Sequence, residues 1–339
     1  MTIRSTLIAT AVALAVASGL TACGGGSDST AGIGGTGITT TGTITGFGSI
    51  IVNGVHYDID SAQIEKDGRR KAFRKDPNTD LRIGMLVTVK GVDHGDGTGT
   101  ASEVIYRDEI QGPVSVIEPA NDKFTVMGVD VTVDTDTRFS RCGDDDGKEP
   151  RKGMNLANDL KVNDRVEVSG YRTDSGIRAT YVELKDASCS SDDKDDDEIK
   201  GTFRSDGSGD FKPVGTSSYL SMASFFDTGS GCTDPRTLQA GGFYELKGRY
   251  QGGKFCIVEA EPEDEHPGKG ASAGSHMEME GIVTSIDTAA QTLVLNNTVT
   301  VYYSSATVKT GLSAGVKVEV KGNLNSDGSI NATEIEADD

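Results

Sequence analysis

Cys23 is the side chain with the clearest chemical assignment in this sequence. The first 22 residues carry Arg4 and then an apolar run, Leu7–Val16, which is typical of a secretory signal and too short for a stable membrane span. The signal ends in Leu20-Thr-Ala-Cys23, which resembles a bacterial lipobox, so we expect a diacylglyceryl group on the Cys23 thiol. An ordinary signal peptide with a nearby cysteine is the alternative. Several acyl chains on one residue would give stable anchoring to a membrane.

The residues after Cys23 predict where the anchor is sorted. Gly24 follows the cysteine, and an Asp there would resemble an inner-membrane retention signal, so we expect the cell outer membrane, facing either the periplasm or the exterior. Residues 24 to about 40 are rich in Gly, Ser and Thr, which is typical of a flexible tether. We therefore assign residues 1–22 to the signal peptide and 23–40 to the lipidated cysteine and tether.

Four further cysteines are suited to disulfide chemistry. An even number in an oxidising envelope indicates two disulfides, with three possible pairings. Because a small module closes most simply on itself, we favour Cys142–Cys189 and Cys232–Cys256. A metal site is the weaker alternative, since there is no Cys-x-x-Cys spacing and no nearby His. We predict no bound metal.

The sequence offers little for catalysis. None of the four histidines accompanies a nucleophile motif such as Gly-x-Ser-x-Gly, and no phosphate-binding loop or dinucleotide fingerprint is present. We therefore predict no catalytic residues, no cofactor and no enzyme. A Ser-His-Asp set assembled from separate loops, as in an envelope hydrolase, remains the enzymatic alternative.

Two acidic runs, 144–147 and 192–198, invite a calcium interpretation. Consecutive aspartates point in different directions and lack the spaced loop that calcium sites use, so we favour solvated segments. A Cys142–Cys189 bridge would bring the two runs together, and weak cation binding therefore stays open.

Aromatic side chains are concentrated in one part of the chain. Nine of the 19 Phe and Tyr residues fall within 203–255, around an irregular segment at 217–226. Exposed aromatics on small barrels can bind sugars or peptides, which makes Tyr219, Phe225 and Phe226 candidate ligand-binding residues. The alternative, which we favour, is that these rings fill the core of a divergent module.

One spacing recurs four times. It begins with Leu-x-x-Gly/Asn-x-x, continues with two apolar strand residues separated by one residue, and ends with a closing Gly two positions later. A fixed interval repeated at this length indicates one structural unit copied in tandem. The fourth position tolerates a positive φ angle and predicts a left-handed turn, while the closing Gly predicts a bend or bulge. The copies occupy residues 81–91, 160–170, 238–248 and 312–322.

Each copy follows a front half with its own hairpin. In the first unit, a strand at 42–52 leads through Asn53-Gly54, a strong two-residue hairpin signal, into a strand at 55–59. Three strands, a variable connection and two more strands is the order of an OB-like barrel. We predict an all-β fold of four tandem small OB-like β-barrels. Another small barrel or a short sandwich would give nearly the same pattern.

The combined pattern resembles a known family. Gly-x-Val/Ile near the front, the Leu-to-Gly motif in the middle and Ala-x-x-Val/Ile at the end resemble the bacterial domain of unknown function 5666 family. The first, second and fourth units match well, and the third departs in its front half. The resemblance implies an exported, repeat-containing β protein and supplies no catalytic residues.

Charge limits the partners. The formal net charge is −19, and loss of the signal peptide with its one charged residue, Arg4, makes it −20. Such a surface repels phosphate, so we exclude nucleic acid despite the OB-like pattern. The partners we expect are the membrane, through the N-terminal lipid, and an envelope protein or glycan.

The domain assignment follows from these patterns. We place the β modules at 41–110, 111–187, 198–262 and 278–339, with an acidic linker at 188–197 and a second linker at 263–277. Modules of this size are near the lower limit for independent stability, and the low aromatic content predicts several small cores. We expect the linkers to let the modules reorient.

Two non-catalytic functions fit. The first is a lipid-anchored cell-envelope scaffold of tandem β modules. The second is a ligand-binding lipoprotein that recognises a glycan or peptide through its third module.

Overall fold

The regular secondary structure of the described residues is almost entirely β-strand. A computed structural model describes residues 37–66, 69–71, 81–142, 149–185, 196–263 and 273–337, and for 69–71 the backbone alone. The alternation of apolar and polar residues in the Leu-to-Gly motif produces strands with one buried face, as in the fourth copy, where Val318 and Val320 are fully buried.

Module 1 is a closed five-stranded barrel with two added strands. The strands are β1 (Gly37–Gly46), β2 (Ile50–Val52), β3 (Val55–Asp58), β4 (Gln63–Lys66), β5 (Arg69–Lys71), β6 (Leu86–Asp93) and β7 (Thr98–Tyr106). The barrel strands pair in the order β1-β2-β3-β7-β6, and β6 returns to β1, which is the predicted OB-like order. The added β4 lies parallel to β7 and pairs with β5.

Modules 2 and 4 repeat the closed barrel. Module 3 has the shortest front strands, which do not pair with each other, and none of its described strands takes the place of β4. Module 2 contains β8 (Ile110–Glu118), β9 (Lys123–Val126), β10 (Val129–Thr132), β11 (Arg138–Arg141), β12 (Arg151–Lys152), α1 (Leu156–Asp159), β13 (Arg165–Thr173) and β14 (Gly176–Lys185). Module 3 contains β15 (Asp197–Phe203), β16 (Phe211–Pro213), α2 (Met222–Phe225), β17 (Phe226–Asp227), β18 (Phe243–Gln251) and β19 (Lys254–Pro262). Module 4 contains β20 (His276–Asp287), β21 (Thr292–Leu295), β22 (Val299–Tyr302), β23 (Thr307–Val308), β24 (Lys317–Leu324) and β25 (Ile330–Ala337). Single 3-10 turns lie at Pro119–Asn121 and Pro235–Thr237.

Both geometric predictions from the repeated motif are confirmed. The fourth motif residue has a positive φ angle in every copy. The closing Gly lies at a shift of register in every copy, and its Cα approaches the facing strand too closely to carry a side chain. A Cβ on the closing Gly would lie 1.9–2.3 Å from a carbonyl oxygen of that strand. The positive φ angles are 97° at Gly84, 73° at Asn163, 76° at Gly241 and 89° at Gly315, and the closing glycines are Gly91, Gly170, Gly248 and Gly322.

The modules join in pairs through their first strands. In modules 1 and 4, Ile38–Thr41 of β1 pairs in parallel with His276–Met279 of β20. In modules 2 and 3, β8 and β15 pair antiparallel, with Ile110 opposite Ile199. These contacts merge the barrels into a 13-stranded and a 12-stranded sheet, and the four modules lie within one compact unit, Gly35–Asp339.

The apolar cores follow the same pairing. Because Ile110 and Ile199 project to the same side of their sheet, modules 2 and 3 share one continuous cluster of buried side chains. Modules 1 and 4 each have their own cluster, and Tyr181 of module 2 inserts into that of module 1. The prediction of several small cores therefore holds for modules 1 and 4 and is wrong for modules 2 and 3.

The structure also corrects three predicted boundaries. Strand β1 begins at Gly37, so the last residues assigned to the tether belong to module 1, where Ile38 is buried. Strand β20 begins at His276 and β15 at Asp197, so the last residues of the two predicted linkers belong to modules 4 and 3. Ile38–Thr41 and His276–Met279 pair with each other and join modules 1 and 4, whereas Asp197 pairs with Gly248 within module 3.

Candidate functional site

Two of the three candidate ligand-binding aromatics are buried. Phe225 and Phe226 are 5% and 2% exposed, and their ring centroids are 4.9 Å apart. Phe226 also contacts the rings of Phe203, Phe211 and Phe255 at centroid distances of 5.6–6.4 Å. Because module 3 has shortened front strands, these rings fill the volume that strand side chains fill elsewhere, which supports the core-packing alternative that we favoured.

Tyr219 is the one candidate that reaches the surface. Its side chain is 37% exposed, and the guanidinium of Arg204 lies 4.6 Å from the ring centroid. A cation at this distance is attracted to the face of the ring. Tyr219 and Arg204 therefore form a small surface of mixed aromatic and cationic character.

The cysteines divide between described and undescribed residues. Cys232 and Cys256 form a disulfide with an S–S distance of 2.06 Å, which is the pairing favoured from the sequence. Cys142 is disulfide-bonded, and its predicted partner, Cys189, lies outside the described residues, as does Cys23.

The metal hypotheses gain no support from the part of the chain that the structure describes. The acidic run 144–147 and residues 192–195 of the second run lie outside that part. Across the remaining ranges, no group of three or more His, Cys, Asp or Glu is arranged to hold a metal ion. In those same ranges, no helix has the length and apolar character needed to cross a bilayer.

The unexpected feature is a set of buried charges between the modules, which we call the inter-module layer. Many of the polar residues that alternate with apolar ones along the first strands and motif strands are buried. A buried charge is costly unless it is paired and hydrogen-bonded. The charged members of the layer are Glu65, Asp108, Glu167, Lys185, Asp197, Glu198, Lys200, Glu245, Lys247, Glu278 and Glu280.

Glu167 joins modules 1 and 2. Its carboxylate accepts a 2.7 Å hydrogen bond from the Tyr106 hydroxyl and lies 3.4 Å from the Lys66 ammonium, both in module 1. Within module 2 it lies 2.5 Å from Lys185, which also pairs with Glu183. Burial alone would raise the pKa of Glu167, but the two lysines and the hydrogen bonds outweigh it and hold that pKa well below its ordinary value.

Lys200 lies where modules 2 and 3 meet. Its ammonium bonds the backbone carbonyl of Asp108 and lies 3.3 Å from the Asp108 carboxylate and 3.5 Å from Glu245. Burial would raise the pKa of Glu245, but Lys200 and Lys247 lower it to about 2. Nearby, Arg165 of module 2 pairs with Asp197 of module 3 at 2.7 Å.

Three modules meet at Tyr171 of module 2. Its hydroxyl contacts the Thr43 hydroxyl of module 1 at 2.7 Å and donates to the Glu280 carboxylate of module 4. Glu280 also accepts the Thr43 backbone N–H at 2.8 Å and pairs with Lys317. The 2% exposure of Tyr171 and the satisfied carboxylate show that this junction is closed to solvent.

Two carboxyl groups of module 4 lie close together beside module 1. Glu278 and Glu319 share a hydrogen bond, and Lys321 lies 3.1 Å from Glu278 and 2.8 Å from Glu319. Burial first, and Glu278 second, raise the pKa of Glu319 to about 8, so the group holds a proton at neutral pH. On the module 1 side, Tyr57 bonds Thr40 at 2.8 Å, and burial, with smaller effects of Glu278 and Glu319, raises the pKa of Tyr57 to about 12.

This pair predicts a pH-dependent stability. The Glu319 pKa is about 8 in the folded chain and 4.5 in an exposed side chain, so the stabilisation is complete below pH 4.5 and is lost as the pH rises to 8. We expect the free energy of unfolding to fall by about 2–4 kcal/mol across this range, because solvent screening at this partly exposed group reduces the full effect of the pKa shift. Urea titrations between pH 5 and pH 8.5 measure it. Glu319→Gln should flatten the dependence, and an equally steep dependence in that variant would contradict the assignment.

The inter-module layer has the chemistry of a structural contact. Glu167, Asp197 and Glu280 bond groups of an adjacent module, whereas Glu198 and Glu245 pair with lysines of their own module 3. Sequence reasoning missed the layer because alternating Glu and Lys look the same whether they face water or another polar surface. The available signal was the concentration of Glu278, Glu280 and Glu319 on one face of one module.

Comparison with protein-family models identifies a family for this chain. The sequence model of the family described as "Domain of unknown function (DUF5666)" matches residues 39–105, 111–183 and 280–336, more than half of the chain. The matches coincide with modules 1, 2 and 4 and omit module 3, whose front strands are the divergent ones. No curated protein gives a significant match.

Proposed function

Because the chain belongs to the DUF5666 family, whose function is unknown, we propose a function from its own residues: a non-catalytic, lipid-anchored scaffold of the cell envelope. The observation that carries this proposal is the inter-module layer. Its pairs between Tyr106 and Glu167, Arg165 and Asp197, and Tyr171 and Glu280 tie the modules into a single platform. A platform of fixed geometry suits the presentation of a surface to a partner.

This proposal changes one part of the initial hypothesis. Linkers that let the modules reorient are no longer part of it, because β1 and β20 belong to the first and last modules and pair with each other. The scaffold would therefore hold its surface features at fixed spacing on the end of a tether. The lipidated Cys23 and the outer-membrane location remain parts of the proposal that rest on the lipobox and on Gly24.

The anchor is tested by fractionating cells that produce the full chain. We expect the wild type in the outer-membrane fraction and Cys23→Ser in the soluble fraction, because the thiol that carries the lipid is gone. Gly24→Asp is the matched control, since it leaves the thiol in place and should move the protein to the inner membrane. A wild-type protein that is soluble, or a Cys23→Ser variant that stays with the outer membrane, would contradict the anchor.

A second candidate function is peptide recognition by module 3. The exposed Tyr219 and its Arg204 partner favour a polar recognition surface on this module, although the buried Phe225 and Phe226 contribute nothing to it. Alanine substitution of Tyr219 with unchanged stability and a lost partner would support this candidate.

A further inference from the structure

In modules 1, 2 and 4 an added parallel strand covers one edge of the last strand of the barrel. None of the described strands covers the equivalent edge of β19 in module 3 along its whole length. Strand β19 pairs with β18 on one side, and on the other side β17 covers Phe255 and Cys256. The Cys232–Cys256 disulfide and the hydrogen bond from the Thr233 N–H to the Ile257 carbonyl hold a loop against the same stretch. Beyond Ile257, none of the described strands pairs with Val258–Pro262 on this side.

The other three modules each place a parallel strand at the equivalent position. The closing Gly of the motif sets the equivalence, because it lies opposite Ile257 in module 3 and opposite Ala101, Ala179 and Ala332 in modules 1, 2 and 4. Strands β4, β11 and β23 lie parallel to β7, β14 and β25, and each pairing begins two residues after the alanine that faces the closing Gly. In module 3 the residue two positions after Ile257 is Glu259, and Ala260 follows it.

The covering strands share a side-chain pattern. The residues equivalent to Ala260 are Val104, Val182 and Ile335. Each pairs with an apolar residue of the covering strand, namely Ile64, Phe139 and Val308. A basic residue follows within two positions, namely Lys66, Arg141 and Lys309. In module 3 the small Ala260 packs against the edge of the shared core and is not fully buried.

Module 4 shows what the acidic side chains of such an edge bind. The Lys309 ammonium lies 2.6 Å from Glu334 and 3.3 Å from Glu336, and its backbone N–H donates to the Ile335 carbonyl. The register places Glu259 and Glu261 of module 3 at the positions of Glu334 and Glu336. Glu259 is exposed, as is Val258 with 53% of its surface.

We propose that the β19 edge of module 3 binds an extended, basic segment of a partner protein, which adds as a strand parallel to Val258–Pro262. Backbone hydrogen bonds along the edge supply affinity, and side chains at alternate positions supply specificity. The sister modules define the segment as one apolar residue opposite Ala260 followed by Lys or Arg. Two carboxylates on an open edge oppose pairing with a second copy of this acidic chain. The tether at 24–36 carries no Lys or Arg and does not fit the pattern.

This inference deepens the interaction role of the proposed scaffold and depends on it for its biological meaning. The binding itself is measured in solution, whereas the anchor is measured by cell fractionation. A failure of either experiment can therefore be told apart from a failure of the other.

The test uses a peptide that copies a sister strand. A peptide with the sequence of residues 135–141, which contains β11, is titrated into the isotope-labelled full chain and followed by NMR. We expect saturable binding, with the largest shifts at the amides of Val258–Glu261. Glu259→Lys should weaken binding by roughly fivefold or more, since an attractive charge pair becomes repulsive. The matched control is Glu334→Lys in module 4, whose edge is already covered and whose substitution should leave binding unchanged.

The outcomes separate cleanly. A second peptide, with Glu in place of both arginines, should bind the wild type more weakly and Glu259→Lys more tightly. No binding at millimolar peptide, or shifts confined to other modules, would overturn the proposal. Equal affinity for the wild type and Glu259→Lys would also overturn it. If Glu259→Lys does not fold, the mapped shifts on the wild type and the charge-reversed peptide still decide the question.

Discussion

Phe226→Ala is expected to lower the free energy of unfolding of modules 2 and 3 by about 3–5 kcal/mol. The ring is 2% exposed and packs among four other phenylalanines, so its removal leaves a cavity in the core that both modules share. Because the chain has no Trp, urea unfolding is followed by tyrosine fluorescence and circular dichroism.

Tyr219→Ala is the control for this prediction. The side chain lies in the same module but is 37% exposed, so we expect a loss below about 1 kcal/mol. If Phe226→Ala kept the stability of the wild type, the aromatic cluster would not be the core of module 3. The ligand-binding interpretation of these rings would then have to be reopened.

Glu167→Leu is expected to destabilise the contact between modules 1 and 2 by about 3–5 kcal/mol. The substitution leaves the Lys185 ammonium, which is buried, with Glu183 as its remaining carboxylate and removes the acceptor of the Tyr106 hydroxyl. Removal of one partner of a buried ion pair is costly because the other charge stays buried. Urea unfolding of the variant measures the loss.

The double variant Glu167→Leu with Lys185→Met separates the two causes. Replacement of both charges by apolar groups should recover most of the lost stability, because no unpaired charge remains buried. If the single variant lost less than about 1 kcal/mol, the inter-module layer would not contribute to stability. If the double variant were no more stable than the single one, the loss would come from packing or from the Tyr106 hydrogen bond.

The internal geometry of each module could be predicted from the sequence because it depends on local chemistry. Gly84 and Asn163 occupy left-handed turns, and Gly91 and Gly170 occupy bulges where a carbonyl oxygen leaves no room for a Cβ. These requirements act over a few residues and therefore leave a visible spacing. The hairpin at Asn53-Gly54 follows the same rule, with φ angles of 50° and 73°.

The assembly of the modules could not be predicted, because it depends on contacts between distant residues. Ile38 pairs with His276, and nothing near either residue indicates the other. The polar face of a strand has the same alternation whether it meets water or a neighbouring module, as the structure shows for Glu167. The aromatic-rich segment was ambiguous for a related reason, since Phe226 would have the same neighbours in sequence on a surface or in a core.

The central claim is that the inter-module layer fixes the four modules relative to one another. Residual dipolar couplings of backbone amides in the aligned full chain test it most directly, since each module reports its own orientation. We predict that a single alignment tensor fits the amides of all four modules, including β1 and β20. Tensors of different magnitude or orientation for modules 1 and 4 would show that these modules move independently and would contradict the claim.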